Sequence, residues 1–115
     1  MNIEELREYC LSKKGVTESF PFDEVTLVFK VGGKMFALTN LDGEPSVNLK
    51  CNPEKAIELR EQYSSIVPGY HMNKTHWNTV YMDSNIPDNL LKELVDLSYK
   101  LIVESLPKAK RNNLL

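Results

Sequence analysis

The chain has 115 residues, 42% of them hydrophobic and 26% charged, with a formal net charge of −2, which suits one globular domain with an ordinary core. No apolar run approaches the ~20 residues needed to cross a bilayer, and the acidic start Met1-Asn2-Ile3-Glu4-Glu5 lacks the basic and apolar stretches of a signal peptide, so a cytoplasmic protein is expected. Lys108, Lys110 and Arg111 concentrate positive charge after Pro107, leaving a body more acidic than the net figure and a poor overall match to nucleic acid.

Asn2 is a good N-cap, and Glu4 and Glu5 stand in the first turn, where the helix dipole favours negative charge. Ile3, Leu6, Tyr9 and Cys10 recur at helical spacing up to the stop at Gly15, which predicts a first helix over Ile3 to Lys13. Phe20-Pro21-Phe22 then reads as a rigid aromatic connection within Val16 to Asp23. Val25 to Val31 and Lys34 to Thr39 are strand-like runs joined by Gly32-Gly33, a strong hairpin signal because both glycines tolerate positive φ. Asp42-Gly43 marks another turn, and Ser46 to Lys50 alternates as a third strand.

Asn52-Pro53-Glu54 has the form of an N-cap, a proline at the first helical position and an acidic first turn. Ala56, Ile57, Leu59 and Tyr63 supply the apolar side of this second helix. Just before it, Cys51 has two readings. One is a small buried thiol, as for Cys10; the other is a thiolate of lowered pKa beside Lys50 and a helix start. Ile66 to Met72 and Trp77 to Met82 form a second hairpin, with Pro68-Gly69 marking an edge or bulge. Pro87-Asp88 opens a last helix with a broad apolar stripe from Leu90 to Leu106, ended by Pro107. The expected fold is α+β, an antiparallel sheet with helices packed on it in the order α-β(3)-α-β(2)-α. The domain is expected over residues 1–107, with 108–115 a short basic tail.

The segment Pro68-Gly69-Tyr70-His71-Met72-Asn73-Lys74-Thr75-His76-Trp77-Asn78 holds both histidines and the only tryptophan. This string, continued by Thr79-Val80, resembles the signature of the MmcQ/YjbR family. So do Val47-Asn48-Leu49-Lys50-Cys51-Asn52-Pro53-Glu54, the Phe20-Pro21-Phe22 stretch with the hairpin that follows it, and Ser98-Tyr99. The resemblance implies a two-layer α-β(3)-α-β(2)-α fold and carries a DNA-binding label that rests on fold-level analogy. One departure stands out: the family's usual glycine after Phe22 is Asp23 here, which alters the local turn and the charge of any site beside it.

His71 and His76 lie five apart across a turn with no nearby cysteine or carboxylate to complete a ligand set, so no metal or other cofactor is expected. With no P-loop, dinucleotide fingerprint or nucleophile elbow, an enzyme is not expected either. The expectation is a binding module. Lys50, Tyr70, His71, Asn73, Lys74, His76, Trp77 and Asn78 are its candidate contacts, with lysine for phosphate, amides for base edges and rings for stacking. The candidate partners are DNA and, alternatively, another protein bound in a chaperone-like manner or a small ligand in a pocket around His71 and His76. The competing reading is a solvated turn beside a structural aromatic cluster. Trp77 itself has two placements: displayed on the open face if Val80 and Met82 line the core, and buried otherwise.

Overall fold

The computed structural model describes residues 1–114. Helix α1 (Ile3–Leu11) begins with a full capping box: Asn2 Oδ1 accepts from the Glu5 amide at 2.8 Å, and Glu5 Oε1 accepts from the Asn2 amide at 3.2 Å. Strand β1 (Val16–Ser19) follows, then β2 (Thr26–Val31), β3 (Lys34–Asn40) and β4 (Ser46–Lys50). Helix α2 (Pro53–Gln62) starts where Asn52 Oδ1 accepts from the Lys55 amide at 3.1 Å. Strands β5 (Ile66–Pro68) and β6 (Trp77–Tyr81) lead to the long helix α3 (Asp88–Glu104) and the short α4 (Lys108–Asn112).

All six strands join one antiparallel sheet in the order β1-β2-β3-β4-β6-β5. The β2–β3 turn is made by Gly32 and Gly33, both at positive φ (59° and 83°), the conformation a tight two-residue hairpin demands. Helix α3 lies across β2, β3 and β4, while α1 sits beside β1 and α2 beside β5. Leu91, Leu94, Val95 and Ile102 of α3 are buried against Phe29, Val47, Leu49 and Val80. Burying each such side chain is worth roughly 1.5–3 kcal/mol.

A β-bulge falls between Phe29/Lys30 and the facing Met35–Ala37, so Phe36 and Ala37 are both buried in this core although they are consecutive. Ser98, the polar residue in the α3 stripe, fills the gap. Its hydroxyl donates to the Phe36 carbonyl at 2.5 Å and accepts from the Lys50 amide at 2.8 Å, bridging β3 and β4 beside their short pairing.

The α+β class and its antiparallel sheet are as expected from the sequence, with one strand more. Val16–Ser19 is a strand rather than part of a connection. It carries little apolar signal because its inward-facing Glu18 is held by Arg7 of α1, Nε to Oε2 at 2.7 Å and Nη2 to Oε1 at 2.5 Å. Strand β5 ends at Pro68, so the second hairpin is shorter than expected, and it forms one edge of the sheet as its proline requires. The basic tail carries α4 and touches the body: Lys110 Nζ donates to the Gly32 carbonyl at 3.1 Å, and Leu114 packs against the core. Among the described residues no helix is long and apolar enough to cross a membrane.

Candidate functional site

The three major helices cover one face of the sheet, and the other face has its own small apolar cluster. Val28, Leu38 and Trp77 are buried there, with Met35 and Met72 packed against them. Alternation explains the split, since Phe29, Ala37, Leu49 and Val80 point to the helices while Val28, Leu38, Asn48 and Thr79, next to them in sequence, point away. Beside this cluster lies a groove of about 480 Å³. Its floor comes from β2, β3 and β4 (Thr26, Met35, Leu38, Asn40, Asn48), and its two walls are Phe22-Asp23 and Tyr70-His71-Met72.

The second wall is built by a loop that satisfies its own polar groups. Asn73 Oδ1 accepts from the amides of Thr75 (2.9 Å) and His76 (3.3 Å), an Asx-type turn. Lys74 Nζ donates to the Gly69 carbonyl at 3.2 Å. The Tyr70 amide donates to Thr79 Oγ1 at 2.9 Å, and the Thr79 hydroxyl donates in turn to Asn48 Oδ1 in the groove floor. From behind, Arg60 of α2 donates to the Lys74 carbonyl and, at 2.6 Å, to Asn78 Oδ1. His71 sits at φ 59°, the one positive-φ residue other than glycine among the described residues. That conformation costs of order 1–2 kcal/mol; it is held by this network and turns Tyr70 and His71 outward together, ring centroids 4.0 Å apart. Tyr70 is 69% exposed.

The first wall is fixed by Asp23. Oδ1 accepts from the amides of Val25 (2.9 Å) and Thr26 (2.6 Å), and Oδ2 accepts from the Thr26 hydroxyl at 3.0 Å. The Thr26 and Val25 amides hold the carboxyl below its usual range, keeping it ionised. Phe22 beside it is 64% exposed.

These placements divide the residues singled out in the sequence. Tyr70 and His71 do line one site, but Asn73, Lys74 and Asn78 do not join them as an outward-facing patch. Asn73 Oδ1 and the Lys74 ammonium bond their own loop, and neither residue lines the groove. Asn78 is 2% exposed and faces the helices, taking a bond from Arg60 and giving one to the Ala56 carbonyl at 3.3 Å. Trp77 does face away from the helices, yet it is covered by Met72 and only 9% exposed. His76 is exposed but outside the groove; its carbonyl accepts from the Cys51 amide at 2.8 Å. Lys50 is opposite Trp77 in register and does not line the groove. Cys51 is 4% exposed, and burial pushes its thiol up, against the reading of a reactive thiolate. Among the described residues no three His, Cys, Asp or Glu side chains gather in a way that would hold a metal ion.

The lining residues that were not among the sequence candidates are Thr26, Met35, Leu38, Asn40 and Asn48 of the floor, Phe22 and Asp23 of one wall, and Met72 of the other. Strand parity was the usable signal. Once Phe29 and Leu49 are assigned to the core, Leu38 and Asn48 must look the other way.

This architecture has known counterparts. The structure superposes on the crystal structure of a Deinococcus radiodurans protein with a TM-score of 0.92 at 43% identity, covering 98% of this chain and 87% of that one. A Pseudomonas syringae protein superposes with a TM-score of 0.76 at 27% identity, over 88% of this chain and 98% of the other. In sequence, Escherichia coli YjbR is 41% identical over 116 residues, spanning 100% of this chain and 98% of its own. A second Escherichia coli relative, YbdF, is 46% identical over 90 residues, 77% of this chain and 74% of the relative. With the YjbR family model also matching residues 11–101, the chain belongs to the YjbR family.

Proposed function

We propose that the protein is a non-enzymatic binding module that takes a small, largely apolar ligand into the groove on the helix-free face of its sheet. The observation that carries this reading is the groove itself. Its volume of about 480 Å³ lies within the range of ligand pockets, its lining is mostly apolar, and its few polar groups converge from both walls. The walls are preorganised by hydrogen bonds that require no ligand, which lowers the ordering cost of binding.

Catalysis has less support. The Thr26 hydroxyl donates to Asp23 rather than to His71, and the Thr26 and Val25 amides that hold the Asp23 carboxyl below its usual range make it a weak base for activating that hydroxyl. Duplex DNA also has less support, because phosphate contacts need ammonium or guanidinium groups and none of the ten lining residues is lysine or arginine. A protein-detected NMR screen of ring-bearing fragments tests the proposal. Amide shifts clustered at Phe22, Met35, Leu38 and Tyr70–Met72 are expected. Shifts confined to other surfaces, or none with any fragment, would overturn it.

A further inference from the structure

We infer that the groove selects a cation: a small organic ammonium, protonated or quaternary, carried on a ring or short apolar body. This deepens the binding reading above and rests on it.

Charge points the same way as shape. Asp23 is the one carboxylate in the lining, no lysine or arginine stands there to neutralise it, and it has no ion-pair partner among the described residues. Its oxygens are fixed by the Val25 and Thr26 amides and the Thr26 hydroxyl, so the negative charge is held in place at the wall rather than swept through solvent. Phe22 stands next to it, and Tyr70 faces from the other wall, both largely exposed. Aromatic faces carry the negative end of a quadrupole and attract ammonium groups, quaternary ones included. The polarizable thioethers of Met35 and Met72 accommodate the apolar body of such a ligand. An anion would meet Asp23 with no lysine or arginine in the lining to offset it, and a neutral ligand would gain nothing from that charge.

Backbone geometry favours a small molecule over an extended peptide. The floor strands β2, β3 and β4 are interior to the sheet and paired on both sides, so they have no free edge to which a peptide main chain could add.

The test is NMR titration with three probes of similar size: benzyltrimethylammonium, benzyl alcohol and phenylacetate. The cation is expected to bind at Phe22, Asp23 and Tyr70–Met72 about fivefold more tightly than the alcohol, with phenylacetate weakest, and added salt should narrow the gap. Asp23→Asn keeps an acceptor for the Val25 and Thr26 amides while removing the charge. It is expected to weaken the cation about fivefold and leave the alcohol unchanged. Phe22→Leu, which removes one ring face without touching the Asp23 turn, should weaken the cation more than the alcohol. If the alcohol binds the groove as well as the cation does, or if both variants leave the cation unaffected, cation selection is wrong and the binding reading stands. If none of the probes or screened fragments moves the groove resonances, both fall.

Discussion

The guanidinium of Arg60, on α2, donates from Nε to the side-chain oxygen of Asn78, on β6, at 2.6 Å. The same guanidinium reaches the Lys74 carbonyl, and Asn78 returns a bond to the Ala56 carbonyl of α2. One helix residue therefore pins both the last strand and the base of the loop that displays Tyr70 and His71. The groove wall is set from the opposite layer of the molecule.

Arg60→Ala should be costly out of proportion to its surface position. Asn78 is 2% exposed, so removing Arg60 leaves a buried amide oxygen without its donor. A loss of about 2 kcal/mol is expected in urea unfolding. Asn78→Ala added to it should cost less than the sum of the two single changes, because both remove one interaction. Amide exchange should also quicken at Trp77, whose N–H bonds the Asn73 carbonyl at 3.0 Å, and not at Phe29 in the central sheet. Strict additivity, or a loss below ~0.5 kcal/mol, would show that the pair is incidental.

Ser98→Ala tests the bridge between β3 and β4. Ser98 is fully buried and serves the Phe36 carbonyl and the Lys50 amide at once, so its loss strands two backbone groups. About 1–3 kcal/mol is expected, read from the urea midpoint at unchanged slope. Ser98→Val, which adds bulk where the strands already part, should be worse than alanine.

Gly69→Ala should disturb the groove directly. A methyl at this position would lie 2.9 Å from both the Cβ and the carbonyl oxygen of Trp77, and 3.0 Å from Met72 Cβ. Neither Trp77 atom is the free end of a flexible chain, so the loop must move. About 1–3 kcal/mol of destabilisation is expected, together with a red-shifted Trp77 emission as Met72 lifts from the ring. An unchanged spectrum would mean that the loop absorbs the methyl elsewhere.

Much of the fold could be read from local signals. Asn2 with Glu5, Gly32-Gly33 and Asn52-Pro53 each state their own structure within a few residues. β1 could not be read this way, because the Arg7–Glu18 pair that lets a glutamate face inward comes from another element. The site suffered from the same non-locality. In sequence Asn78 and Asn48 are equivalent strand amides. The Leu49–Asn78 and Asn48–Thr79 register sends one toward the helices and the other toward the groove. Lys74 likewise looks like a phosphate ligand until the Gly69 carbonyl, five residues back, is found to hold it. Tyr70 and Phe22 stand on opposite walls of one groove only because β4 pairs with β6, a pairing no local pattern announces.

Alkaline pH should destabilise the protein through its two thiols. Cys10, on the inner side of α1, is fully buried, and burial pushes its pKa up to about 12; Cys51 is pushed up by the same cause. A raised thiol pKa means that the folded state keeps a proton the unfolded chain gives up. Stability from this source is therefore complete below the unfolded thiol value and is lost as pH climbs above about 9. For Cys10 the slope approaches about −1.4 kcal/mol per pH unit between the unfolded thiol value and the folded one, and Cys51 acts in the same direction. Tyr9, raised to about 12 by desolvation and its bond to Asp96 (2.6 Å), acts in the same direction once pH passes the ordinary phenol range. Urea unfolding between pH 8 and 10.5 should show the decline, and Cys10→Ala, although less stable at neutral pH from its lost packing, should show a shallower one. Parallel curves for the two proteins would mean that the Cys10 thiol ionises in the folded state as readily as in the unfolded one, and that the α1–sheet contact admits water.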